Sequence, residues 1–213
     1  MTTMPEFSPV FMDQLDDLFR WRRDVRHFRR EPVPEPVLDE LLRIACLAPS
    51  VGLSEPWRFV RVDDLQRRQA VRQDFMRCNA EALADRTGPD AQHYARLKLA
   101  GLDDAPHHIA VLSHPEPAQG RGLGRGTMPQ TTTWSTVMAI HTFWLAATAK
   151  GIGVGWVSII DPDQIMRVLD VEPTLELVAY LCVGYPAEPA STPELERRGW
   201  ERRAPERREW IQR

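Results

Sequence analysis

Between residues 11 and 20, Phe11, Leu15, Leu18 and Phe19 recur at helical spacing with Asp13, Asp16 and Asp17 opposite, which predicts an amphipathic helix. After a basic stretch, Trp21 to Arg30, Pro34 and Pro36 open a second helix. Its stripe of Val37, Leu38, Leu41, Leu42 and Ala45 stops near Pro49. Pro56 precedes a short strand, Trp57 to Val62. Asp63 is then the expected N-cap of a helix running through Leu65, Val71, Phe75 and Leu83 to the turn Gly88-Pro89-Asp90. Asp90 caps a further helix that ends near Gly101. A strand at His108 to Leu112 leads through the glycine-rich stretch Gly120 to Gly126 into a helix from Thr133 to Lys150. That helix is apolar nearly all round, with Trp134, Val137, Met138, Ile140, Phe143, Trp144 and Leu145, so burial is expected. Gly151 is its C-cap residue. Ile152 to Ile160 reads as a strand, Asp161-Pro162-Asp163-Gln164 as a helix start with a capping-box-like Gln, and Leu175 to Val183 as the last strand. Strands separated mostly by helices make the class mixed α and β. With 213 residues, one domain over 1–213 with a polar tail from about 187 is expected.

Composition narrows the function. Apolar residues make up 43% and charged residues 27%, as in a soluble globular protein. The longest apolar stretch, Gly151 to Ile160, is too short to span a bilayer, and Met1 to Val10 lacks the basic start and apolar core of a signal peptide. A cytoplasmic location is the expectation. Cys46, Cys78 and Cys182 lie far apart, are odd in number and are expected to be buried or half-buried thiols. Adjacent His107 and His108 point in different directions, and no Cys or His pair has ligand spacing, so no metal is expected. A net charge of -3 gives no reason to expect nucleic acid. Lysine occurs only at Lys98 and Lys150. Arginine carries the positive charge, clustered at Arg20 to Arg30 and again, interleaved with glutamates, at Arg197 to Arg208. A planar guanidinium suits bidentate binding of phosphate.

Gly120-Arg121-Gly122-Leu123-Gly124-Arg125-Gly126 is not a dinucleotide fingerprint, because no helix opens until past Met128-Pro129-Gln130; a mobile loop or lid is the preferred reading. More informative are four segments in order: Arg22-Arg23-Asp24-Val25-Arg26-His27-Phe28, Ala48-Pro49-Ser50-Val51-Gly52, Gly151-Ile152-Gly153-Val154-Gly155-Trp156-Val157-Ser158, and Val183-Gly184-Tyr185-Pro186. Together they resemble the nitroreductase superfamily. With Leu97-Lys98-Leu99-Ala100-Gly101-Leu102 and Gly124-Arg125-Gly126-Thr127-Met128-Pro129, they resemble its 5,6-dimethylbenzimidazole synthase branch, over roughly residues 15 to 205. General nitroreductases tend to have Ser or Thr where this chain has Asp24, and Gln is usual where it has Glu55.

The resemblance implies an α+β sheet-and-helix sandwich, a domain-swapped homodimer with two FMN sites at its interface, the Thr133 to Lys150 helix fitting the dimer core. It implies that Arg22, Arg23, Asp24, Val25, Arg26, Ser50, Lys98, Leu99, Val157, Ser158 and Arg197 bind the cofactor and that Asp24 and Ser158 are catalytic. It implies too that reduced FMN is consumed as a substrate with molecular oxygen, which attacks its C4a carbon, giving dimethylbenzimidazole, the lower ligand of cobalamin, and erythrose 4-phosphate. Supply of reduced FMN by a separate flavin reductase is compatible with this. An NAD(P)H-dependent FMN reductase or nitroreductase is the alternative on the same fold, and a non-enzymatic flavin-binding protein the second. From the residues alone, Asp24 reads as an ion-pair partner of Arg22, Arg23 or Arg26, Ser158 as an ordinary strand serine, and Lys98 and Leu99 as a surface and a core position of one helix. The resemblance instead places all four at the flavin.

Overall fold

The computed structural model describes residues 3–84, 101–204 and 209–213. Its centre is a four-stranded antiparallel sheet in the order β1-β2-β4-β3, formed by β1 (Trp57–Arg61), β2 (His107–Ser113), β3 (Gly153–Val157) and β4 (Glu176–Gly184). Every residue of β2 is buried, as expected of a central strand covered on both faces. Alternation along β4 divides the core. Ala179, Leu181 and Val183 face a cluster with α2 (Glu35–Ala45) and α5 (Thr131–Ala149), which supplies Ile140, Phe143 and Ala147. Tyr180 and Cys182 face the other cluster, with Val71 from α3 (Leu65–Ala84), Leu102 from α4 (Gly101–Asp104) and Ile165 and Leu169 from α6 (Pro162–Leu169). α1 (Pro9–Trp21) and α7 (Glu194–Arg197) lie toward the ends of the chain, and no residue of α1 is buried. The result is the expected α+β sheet-and-helix sandwich.

Several expectations need correction. Asp64, not Asp63, caps α3: its carboxylate accepts from the Arg67 N–H at 2.8 Å, while Asp63 pairs with Arg61 at 3.1 Å. α6 has its cap at Asp161, which accepts from the Asp163 and Gln164 N–H groups, but the Gln164 side chain accepts from Arg167 instead of closing a capping box. β3 stops at Val157, opposite Tyr180, instead of running to Ile160. Cys46 is exposed, because α2 ends there at the surface. One face of α5 is uncovered, with Trp134 51%, Val137 37% and Met138 46% exposed, since a helix apolar nearly all round does not show in its sequence which face the fold covers. The helix expected from Asp90, carrying Lys98 and Leu99, lies outside the described residues.

Buried in the sheet, His108 and Tyr180 form a polar pair, Nδ1 and the phenol oxygen 3.0 Å apart. Burial, then the charge of Arg68, pushes the His108 imidazole down to about 4. The folded state therefore binds its proton less readily than the unfolded chain. Stability from the neutral ring is complete above the unfolded value near 6.5 and is lost as pH falls toward 4, an effect on the order of 3 kcal/mol. Urea midpoints between pH 7 and 4 should fall more steeply for the parent than for His108→Gln; parallel declines would remove His108 from the acid response.

Candidate functional site

Where α1 ends, Arg22 turns extended and the basic segment runs against β3, the Val25 N–H donating to the Val154 carbonyl at 3.0 Å. Alternating glycines make that approach possible. A Cβ on Gly153 would sit 2.7 Å from Val25 Cγ2, and one on Gly155 would sit 2.2 Å from the Val25 carbonyl oxygen. The Trp144 indole of α5 donates to the Arg23 carbonyl at 3.1 Å and fixes the segment from its other side. The chain beyond β4 then returns across the same segment: Arg29 N–H donates to Tyr185 at 2.8 Å, and Ala187 N–H donates to His27 at 2.9 Å. This strap carries on to α7 and its arginines.

Between the segment, the strap and the end of α5 lies a cleft of about 700 Å³, whose lining includes Asp24, Arg26, Arg29, Arg197 and Arg198. That volume is within the range of about 300 to 1,000 Å³ usual for small-molecule sites. Arg26 is nearly covered, with 12% of its side chain exposed, and its Nε lies 3.5 Å from Asp24 Oδ2. Asp24 Oδ1 accepts from the Trp156 N–H at 2.9 Å. Burial holds the Asp24 carboxyl above the ordinary carboxylate range, against the opposing effects of the Trp156 N–H and then Arg26. The arginines do favour the ionised form, but desolvation outweighs their attraction.

The sequence-derived residues fall into separate groups. Arg23, Asp24, Val25, Arg26 and Arg197 all line the cleft. Arg23 also spends its guanidinium on the backbone carbonyls of Arg22 and Ser191, latching the strap. Arg22 lies over the Trp144 ring, its guanidinium carbon 5.2 Å from the centroid. Val157 is in the core, so only its backbone can face a ligand. Ser158, the next residue, is exposed and makes no hydrogen bond through its hydroxyl among the described residues. Ser50 lies elsewhere: its hydroxyl accepts from the Glu55 N–H at 3.1 Å, and the Val51 N–H donates to Ser135 near the start of α5. Ser135 and the cleft-lining Thr148 are 13 residues apart on that helix, roughly 20 Å. The glycine-rich loop packs on the Ser50 side, where Gln119 donates to the Leu53 carbonyl at 2.7 Å.

Sequence reasoning missed Arg29 and the strap as parts of the cleft. Arg29 stood in the basic run, but nothing local marked the return of Pro186 to Ala190 across it. The Gly153 and Gly155 alternation was a usable signal, since glycine in a strand marks close approach of another backbone. Among the described residues, no group of three or more His, Cys, Asp or Glu side chains could hold a metal ion.

The cleft is suited to a phosphate-bearing ligand. Arg23 lies close enough to Arg22 and Arg203 for their charges, after burial, to lower its proton affinity, a clustering of like charge that an anion relieves. The nitroreductase family model matches residues 19–185. A 5,6-dimethylbenzimidazole synthase of Rhodospirillum rubrum is 55% identical over 205 residues, covering 96% of this chain and 97% of that protein. Another, of Rhodobacter capsulatus, is 46% identical, covering 97% of this chain and 99% of that protein. An oxidised iodotyrosine deiodinase, solved bound to FMN and 3-iodo-L-tyrosine, superposes with a TM-score of 0.70 at 25% identity, covering 83% of this chain and 91% of its own. With the family match spanning the sheet and the basic segment, and such identity over nearly the whole length, the chain belongs to the nitroreductase family, in the group of its 5,6-dimethylbenzimidazole synthases.

Proposed function

We propose that this enzyme makes 5,6-dimethylbenzimidazole from reduced FMN and molecular oxygen, with Asp24 moving protons at the flavin. The observation that carries the reading is the Asp24 carboxylate itself. It is held in the arginine-lined cleft by the Trp156 N–H, and burial raises its proton affinity. Reduced FMN, when bound, would supply the electrons for oxygen, the dimethylated ring with its two nitrogens and, from the first ribityl carbon, the remaining carbon of the benzimidazole, the other four ribityl carbons leaving as erythrose 4-phosphate.

The residues divide the remaining work. Arg26 and Arg197 would hold the phosphate, Arg22 would add charge from its seat on Trp144, and Ser158 would orient the ring from the end of β3. The two groups of site residues at opposite ends of α5 favour a homodimer in which a partner's Ser50 segment completes the cleft. The uncovered Trp134, Val137 and Met138 and the unburied α1 supply apolar surface for such a contact. No helix among the described residues is long and apolar enough to cross a membrane, and a cytoplasmic location goes with this reading.

Mixing the protein with pre-reduced FMN and air should yield dimethylbenzimidazole by mass spectrometry. Rapid, sustained NADPH turnover with a nitroaromatic acceptor and no benzimidazole would overturn the proposal in favour of a nitroreductase. Separately, Arg26→Ala should weaken FMN binding roughly tenfold or more with little effect on riboflavin, because a charge-assisted contact to phosphate contributes about 1.5 to 3 kcal/mol. Equal losses for both ligands would assign Arg26 to folding.

A further inference from the structure

We infer that Asp74, on α3, is a positioning residue for Ser158, holding the strand end that presents this hydroxyl; the inference rests on the reading of Ser158 as a ring-side residue. Asp74 faces inward, with only 3% of its side chain exposed. A carboxylate so placed is costly unless each oxygen is partnered. Both are. Oδ1 accepts from Arg77 Nη2 at 2.5 Å, and Oδ2 accepts from the backbone N–H of Asp161 at 2.8 Å. Arg77 in turn reaches Glu81 at 2.9 Å and Asp161 Oδ2 at 3.7 Å, so one guanidinium ties α3 to the start of α6.

Capping alone does not account for this arrangement. The Asp161 side chain already caps α6, accepting from Asp163 and Gln164. Its own N–H points away from the helix to Asp74. Between Val157, the last residue of β3 in the ladder, and this anchored N–H lie only Ser158, Ile159 and Ile160. Since the Ser158 hydroxyl has no protein partner among the described residues, its direction is set by backbone anchored at both ends. The apolar packing of α3 in the cluster of Ile165 and Leu169 is supplied by Val71. The carboxylate adds a directional hold on one amide.

The test uses Asp74→Leu, which keeps the branching and number of side-chain heavy atoms, though not their volume, and removes the acceptors, and Asp74→Asn, whose amide oxygen still accepts from Asp161. Asp74→Ala replaces the leucine variant if that one fails to fold. In flavin-free protein, Asp74→Leu should raise exchange of the Asp161 amide about tenfold, the effect of its lost hydrogen bond, and leave the β2–β4 ladder unchanged. With reduced FMN and air, it should lower kcat for dimethylbenzimidazole by the same factor as Ser158→Ala, with KM unchanged. The double variant should match Ser158→Ala within about twofold, because a missing hydroxyl leaves nothing to position. Asp74→Asn should recover most of the parent activity. Unchanged exchange at the Asp161 amide would overturn the proposal, as would losses that multiply in the double variant. If Ser158→Ala makes product at the parent rate, the ring-side reading of Ser158 fails and the proposal falls with it. Raised exchange in Asp74→Leu would then show that Asp74 still holds the segment, so the two failures are distinguished.

Discussion

Asp24→Asn should fold, bind reduced FMN and react with oxygen, yet form dimethylbenzimidazole at least about a hundredfold more slowly, the usual loss when a general acid-base group is removed. The amide keeps the side-chain size and can still accept from the Trp156 N–H, so the segment stays in place. What disappears is the group able to take up and return a proton, together with the charge facing Arg26. The variant should therefore return oxidised FMN and hydrogen peroxide. In the parent, burial raises the Asp24 carboxyl, so the pH profile of product formation should carry a limb above the ordinary carboxylate range that is absent from the asparagine variant. Product formation near the parent rate would reduce Asp24 to a counter-ion of Arg26 and remove the base from the mechanism.

Gly155→Ala should cost both stability and flavin binding. Its Cβ would lie 2.2 Å from the Val25 carbonyl oxygen, and because the obstacle is backbone, no side-chain rotation relieves it. Either β3 or the basic segment must move. Overpacking of this kind costs about 1 to 3 kcal/mol, and here the displaced segment is the one that carries Asp24 and Arg26. Thermal unfolding should shift down by several degrees, and FMN affinity should drop by more than in Arg26→Ala, since several contacts leave together. Gly126→Ala is the control: nothing lies within 4 Å of its added methyl, so stability and binding should remain those of the parent. A Gly155→Ala protein with parental melting and affinity would show that the basic segment does not need its close seat on β3.

Helices α2, α3 and α5 and the places of the four strands along the chain, though not their order in the sheet, were legible, because apolar patterning, Gly151 after α5 and Asp161 before α6 are local properties of neighbouring residues. The family resemblance was also legible, since its four motifs keep their order in the sequence. Beyond the chain's local properties, the tertiary fold decided how these pieces act. Only packing showed that Gly153 and Gly155 are small to admit Val25, that Val157 belongs to the core while Ser158 does not, and that Arg23 latches Ser191. The fold also set the proton affinity of Asp24: nearby arginines were visible in the sequence, but the desolvation that outweighs them comes from the surrounding parts of the fold. Nothing along the chain singled out Asp74, whose hold on the Asp161 N–H exists only where α6 lies against α3. The division follows from range: hydrogen bonds along a helix and its hydrophobic stripe span three or four residues, whereas burial, close approach and the hold of Asp74 on Asp161 join residues far apart in the chain.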